Sequence, residues 1–153
     1  MALKTNVHAE DGRSDLKITR EFDLPVELLF RAHAEPEIVE EWMGTKVVKF
    51  DTKGEYSFET SDADGNVLFA ARGVIHEFEP NRKITRTFEM ENAGIDVQLE
   101  FIEFETLTPD TSRLTMHTVF RSGEHRDILL RMPFAQGLNM AHNRLQEVAE
   151  KFV

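Results

Sequence analysis

The sequence predicts an α+β domain in which a curved antiparallel sheet of about six to seven strands wraps around a long C-terminal helix. Three observations predict it. Between residues 46 and 121 the apolar side chains fall in short alternating runs separated by turn signals, the period-two mark of strands. From residue 134 the spacing changes: Phe134, Leu138, Ala141, Leu145, Val148 and Phe152 step by four, three, four, three and four, which lays one apolar stripe along a helix. Ahead of most of the strands, two short apolar stretches are each opened by a proline, Pro25 and Pro36.

Each element has a local reason. Residues 15–22 (DLKITREF) alternate, with Leu16, Ile18, Arg20 and Phe22 on one face. Pro25 suits the first position of a short helix and Asp23 its cap. Val26, Leu29, Phe30 and His33 supply its stripe. Pro36 opens the next helix, Ile38, Val39 and Trp42 form its apolar side, and Gly44 stops it. Strands over 46–51 and 56–60 follow, then the hairpin turn SDADGN with Asp64-Gly65 at its tip. The strand over 67–79 is long, and Gly73 inside it marks a bulge or a sharp bend. Strands over 83–91, 96–106 and 113–121 complete the sheet, separated by NAG and TPDTS. Residues 124–131 read as a separate turn or short helix, and Pro133 fits the first turn of the long one. Residues 1–14 are polar and read as a flexible arm, which leaves 15–153 as a single domain.

Composition narrows the functions. The net charge of −10, from 18 basic and 28 acidic residues, repels phosphate backbones and anionic membranes. Nucleic acid and membrane insertion are therefore not expected. The chain has no cysteine, so disulfides, thiolate metal sites and a thiol nucleophile are excluded. The first residues carry no long apolar run, and a cytoplasmic location is expected. The six histidines are scattered without metal-ligand spacing, the serines lack a nucleophile-elbow setting, and no phosphate loop is present. No metal, cofactor or catalytic residue is expected. Twelve phenylalanines against one tyrosine and one tryptophan favour a dry interior.

The order of elements resembles the helix-grip fold of the START-like (SRPBCC) superfamily, which includes the birch pollen allergen and polyketide cyclases. Within it the chain is similar to the branch named for the activator of heat-shock protein 90 ATPase. The segments that carry the resemblance are ITREFDLPVELLFRAHAEPEIVEEWMG at 18–44, GVIHEFEPNRKITRTF at 73–88 and GLNMAHNRLQEVAEKF at 137–152. One departure stands out: Leu138 occupies the place where the family usually has tryptophan. The family's eukaryotic activators carry an additional N-terminal domain important for chaperone contact, and these 153 residues have no room for it. Chaperone contact is therefore possible but not favoured, with little stimulation of that ATPase expected from this chain alone.

The resemblance implies a pocket between the sheet and the last helix, suited to a small apolar or amphipathic molecule. Trp42 and Met43 would form its rim, and the alternative for Trp42 is a core cap where the short helices meet the sheet. The lining is expected from Phe58, Arg86, Phe88, Leu99, Phe101 and Met116 on the strands, with Leu138 and Ala141 on the helix. Arg20, Glu77, Arg86 and Glu103 share parity with apolar residues. They are either internal ion pairs, ligand contacts, or groups released by a bulge or a strand end. A cyclase- or hydrolase-like enzyme and a chaperone or stress-related interaction domain remain the alternatives to a binding module. An enzyme calls for a strongly shifted titratable group deep in the pocket, and an interaction domain for an apolar patch outside it.

Overall fold

The computed structural model describes residues 3–153. In chain order the elements are β1 (Asn6–His8), β2 (Asp15–Phe22), α1 (Val26–Ala34), α2 (Pro36–Met43), β3 (Lys46–Phe50), β4 (Glu55–Ser61), β5 (Val67–Glu79), β6 (Lys83–Met90), β7 (Gln98–Thr108), β8 (Thr111–Val119), α3 (Gly123–Arg131) and α4 (Phe134–Glu150). The strands form one antiparallel sheet in the order β1-β2-β8-β7-β6-β5-β4-β3. This is the α+β helix-grip architecture that the sequence predicts, with one strand more than the upper expectation.

The additional strand is β1. The stretch read from sequence as an arm pairs with β2 through Asn6↔Thr19, Val7↔Ile18 and His8↔Lys17. It is held further by Arg126 of α3, whose Nη1 donates to the carbonyls of Glu10 (2.6 Å) and Asp15 (3.1 Å). Polarity misleads here because an edge strand has one neighbour and few buried side chains.

The short helices end for the expected reasons, with one difference. Gly44 takes the left-handed conformation (φ 66°) and closes α2. Asp23 does not cap α1, which begins behind Pro25. Its backbone N–H and carbonyl instead meet the side-chain amide of Gln146 on α4, at 3.0 and 3.1 Å. Gly73 serves close approach: a Cβ there would stand 2.0 Å from the Thr87 carbonyl oxygen and 2.8 Å from the Tyr56 ring. The bulge in β5 lies just beyond, between Ile75 and Glu77.

The interior holds two apolar clusters. The larger joins α1, α2 and the C-terminal half of α4 to the sheet, through Phe22, Leu29, Phe30, Trp42, Phe104, Leu114 and Leu145 among others. The smaller joins Leu16, Ile18, Ile95, Phe120 and Leu129, with Phe134 and Leu138 of α4 packed against it. The α4 stripe therefore faces inward along its length. Leu145 is 0% exposed at its centre. Leu145→Ala is expected to cost about 2–5 kcal/mol, the range for emptying a packed core position. Urea melts of the two proteins check this, and a loss under about half a kcal/mol would contradict the packing. Among the described residues no helix is long and apolar enough to cross a membrane.

Candidate functional site

Between the two clusters the inner face of the sheet turns polar. Register sets the arrangement. Arg86 on β6 stands opposite Glu100 on β7, and Phe88 opposite Gln98. Arg86 Nε donates to Glu100 Oε1 at 2.8 Å, and Gln98 Nε2 donates to Glu100 Oε2 at 2.8 Å. The ion pair is well buried, with side-chain exposures of 12% and 6%. The guanidinium lies 5.1 Å from the Tyr56 ring centre and 5.8 Å from that of Phe88. Burial alone would weaken the arginine's charge; the neighbouring Tyr56 and Glu100 act the other way, and the net shift is upward.

Several inward residues around this strip are not fully enclosed. Met116 is flanked across the sheet by Ile18 and Ile102, both buried, yet it keeps partial exposure. Phe88, Met90, Leu138 and Ala141 point inward and also stay partly exposed. Met90 and Met116 touch both apolar clusters. A thioether side chain adapts to irregular space, which suits residues placed where two clusters meet.

Two neutral histidines close the other side. His33 on α1 places Nδ1 3.0 Å from the Leu29 carbonyl and packs its ring against Trp42 and Phe104. Burial pushes its pKa down to about 4, opposed by the bond to Leu29 and aided by Arg86. His142 on α4 places Nδ1 2.7 Å from Thr5 Oγ1. Burial, then His33 and Arg20, push it down to about 3. Both values lie below the ordinary 6.5, so between about pH 6.5 and 4 the unfolded chain binds protons that the folded chain refuses. Stability is then full above pH 6.5 and falls as the pH drops through that window, by about 1 kcal/mol per pH unit for each histidine. His142→Gln should flatten the slope by about that amount. Parallel stability–pH curves for the two proteins would contradict it.

The expected site residues divide. Phe58, Arg86, Phe88, Met116, Leu138 and Ala141 are on the inner side. Trp42 is buried in the larger cluster, its Nε1 donating to the Ala32 carbonyl at 2.6 Å, and Met43 packs against that cluster. Leu99 and Phe101 are on the opposite, outer face, because β7 turns Gln98, Glu100, Ile102 and Phe104 inward. Both parities of that strand carry apolar residues, and the charge of Glu100 makes its own face look like the outer one. Glu77 and Glu103 also point outward: Glu77 meets Lys83 at 3.0 Å and Thr85 at 2.7 Å beyond the β5 bulge. The sequence reading passes over Gln98, Glu100, Tyr56, Met90 and His142. The alternation Ile102–Phe104, carried back along β7, is the signal that finds Glu100.

A surface hollow lies on the outer side, lined by Thr87, Glu89, Val97, Leu99, Val119 and Arg121 among others. It is an open groove on the sheet's back. The interior strip sets a few polar groups among the apolar residues of the two clusters.

A curved sheet gripping a C-terminal helix defines a START-like helix-grip protein. Residues 23–150 match the family described as Activator of Hsp90 ATPase homolog 1-like protein, and the chain belongs to that family. The fold recurs in many solved structures. A crystal structure from Mycobacterium smegmatis is similar at 22% identity and a TM-score of 0.80, covering 94% of this chain and 95% of that one. A solution structure from Arthrobacter aurescens is similar at 16% identity and 0.81, covering 95% and 91%. A crystal structure from Rhodobacter sphaeroides is similar at 16% identity and 0.80, covering 95% and 99%. No curated protein matches the sequence.

Proposed function

We propose that the protein is a binding module that takes a small amphipathic molecule into the gap between the inner sheet face and the N-terminal half of α4. The fold commonly binds small hydrophobic ligands. The observation that carries the reading is the split interior. Two apolar clusters meet at Met90 and Met116 beside the buried Arg86–Glu100–Gln98 strip. A closed core would fill that space with side chains, whereas here the inward residues keep exposure. Trp42 and Met43 belong to the end of the gap where α1 and α2 meet. The two buried histidines spend their Nδ1 atoms on Leu29 and Thr5, which favours structure and recognition over proton transfer. A cytoplasmic location fits this reading.

Native mass spectrometry of protein purified from its own host tests it. The expected result is a retained small molecule, absent under denaturing conditions, with retention reduced in Met116→Trp, which fills the gap. A bare chain, together with no response of Trp42 emission to apolar probes, would contradict it.

One observation favours a second reading, a protein-interaction domain. Val74, Val97 and Phe101 are exposed on the outer side of the sheet, beside the cross-strand pair Leu99–Val119. A several-fold, saturable stimulation of a heat-shock protein 90 ATPase by the purified chain would move the assignment there.

A further inference from the structure

The outer face of the sheet carries an apolar strip that none of the described residues covers. Val74 on β5, Val97 just ahead of β7 and Phe101 on β7 are 38%, 48% and 36% exposed. Leu99 and Val119 stand opposite each other beside them and are partly exposed. Apolar residues exposed singly are ordinary, whereas a strip across four adjoining strands marks a docking surface. The strip has relief. Surface hollows adjoin along it, and two of them join into a trough running across the strands from Val119 past Leu99 and Thr87 to Gly73. Val97 and Phe101 stand more exposed than Leu99 between them, so the face has ridges as well as a trough.

Charge says what docks there. Four ion pairs border the strip. Arg72–Glu89 and Lys49–Glu55 lie on the side of β3 and β4, Arg121–Asp96 beside Val97, and Lys83–Glu77 beyond Phe101. Exposed pairs of this kind add little to folding stability; what they do is cancel charge. The border is neutral, so the whole net charge of −10 comes from the rest of the molecule. A basic partner would be drawn to that acidic remainder. Two copies of the chain repel each other across it, and meet with least repulsion through this face. The face is also complementary to itself: the ridges of one copy fit the trough of the other, and paired charges meet paired charges around an apolar centre. From β8 to β3 the bordered area is about 24 Å wide, and from Lys83 to Glu89 about 20 Å long. That is the footprint of a weak, reversible interface rather than an obligate one.

We propose that a second copy of this chain docks on the outer sheet face, giving a reversible two-fold dimer packed sheet on sheet. The interior gap takes no part in it, so the dimer stands or falls apart from the ligand reading.

Sedimentation velocity of the full chain from about 1 to about 500 µM tests it. The expected result is a monomer–dimer equilibrium with a dissociation constant on the order of 10 µM. Raising the salt from about 0.05 to about 0.5 M should tighten it about threefold or more, because screening removes the repulsion between two acidic molecules. Val97→Glu sets like charges into the interface and should weaken the dimer at least about tenfold. Val97 is exposed in the single chain, so the thermal midpoint of the dilute variant should stay that of the parent. Met140→Glu, at an exposed position on α4 away from the strip, should leave the dimer unchanged. A chain that stays monomeric at about 500 µM in about 0.5 M salt overturns the proposal. So does a dimer that Val97→Glu leaves intact, which would place the contact elsewhere, or one that salt dissolves, which would be held by charge. A monomer whose stimulation of a heat-shock protein 90 ATPase is lost in Val97→Glu also overturns it, and gives the face to a different protein.

Discussion

Replacing Glu100 by alanine is expected to destabilise the protein by about 3–5 kcal/mol, because it strands a buried charge. Arg86 sits between the rings of Tyr56 and Phe88 on an inner face with little access to water. Its short ionic contact is Glu100 Oε1. Gln98 would lose its acceptor at the same time. The loss comes from the arginine left behind rather than from the attraction removed, so it should largely disappear when both partners go. Arg86→Met with Glu100→Leu is expected to recover most of the stability. Urea melts of the two proteins decide this. A single variant within about half a kcal/mol of the parent would mean that water reaches Arg86 freely.

Trp42→Ala is expected to cost about 3–5 kcal/mol, as for other large aromatic side chains removed from a core. Only 7% of Trp42 is exposed. Its N–H ties α2 to the Ala32 carbonyl of α1, and its ring contacts His33 at 5.4 Å and His142 at 6.4 Å. One side chain thus joins two short helices to α4. Two proline-opened helices close on the only tryptophan because neither is long enough to hold its angle alone. A small stability loss with a large loss of ligand affinity would instead make Trp42 a rim residue.

Much of the fold was legible because it depends on period and punctuation. The four-three spacing from Phe134 places the α4 stripe, and Gly65 and Gly44 mark their turns with positive φ. What escaped was written in contacts between distant residues. Asn6–His8 is a strand because Thr19, Ile18 and Lys17 lie beside it, not because of its own composition. Glu100 shares the face of Ile102 and Phe104, but its charge hides that until Arg86 is seen opposite. Leu99 and Phe101 were read inward on the same strand for the same reason. Arg20 was visible as a charge on an apolar face. That no described carboxylate pairs with it appears only when β1, β2 and α4 are brought together.

The central claim is that an amphipathic molecule enters the gap between the sheet and α4. Methionine methyl resonances test it most directly, since Met90 and Met116 border the gap while Met132 and Met140 are exposed outside it. On titration with decanol, the Met90 and Met116 signals should shift and saturate together while those of Met132 and Met140 stay in place. Shifts confined to Met132 and Met140, or none at saturating probe, would contradict it.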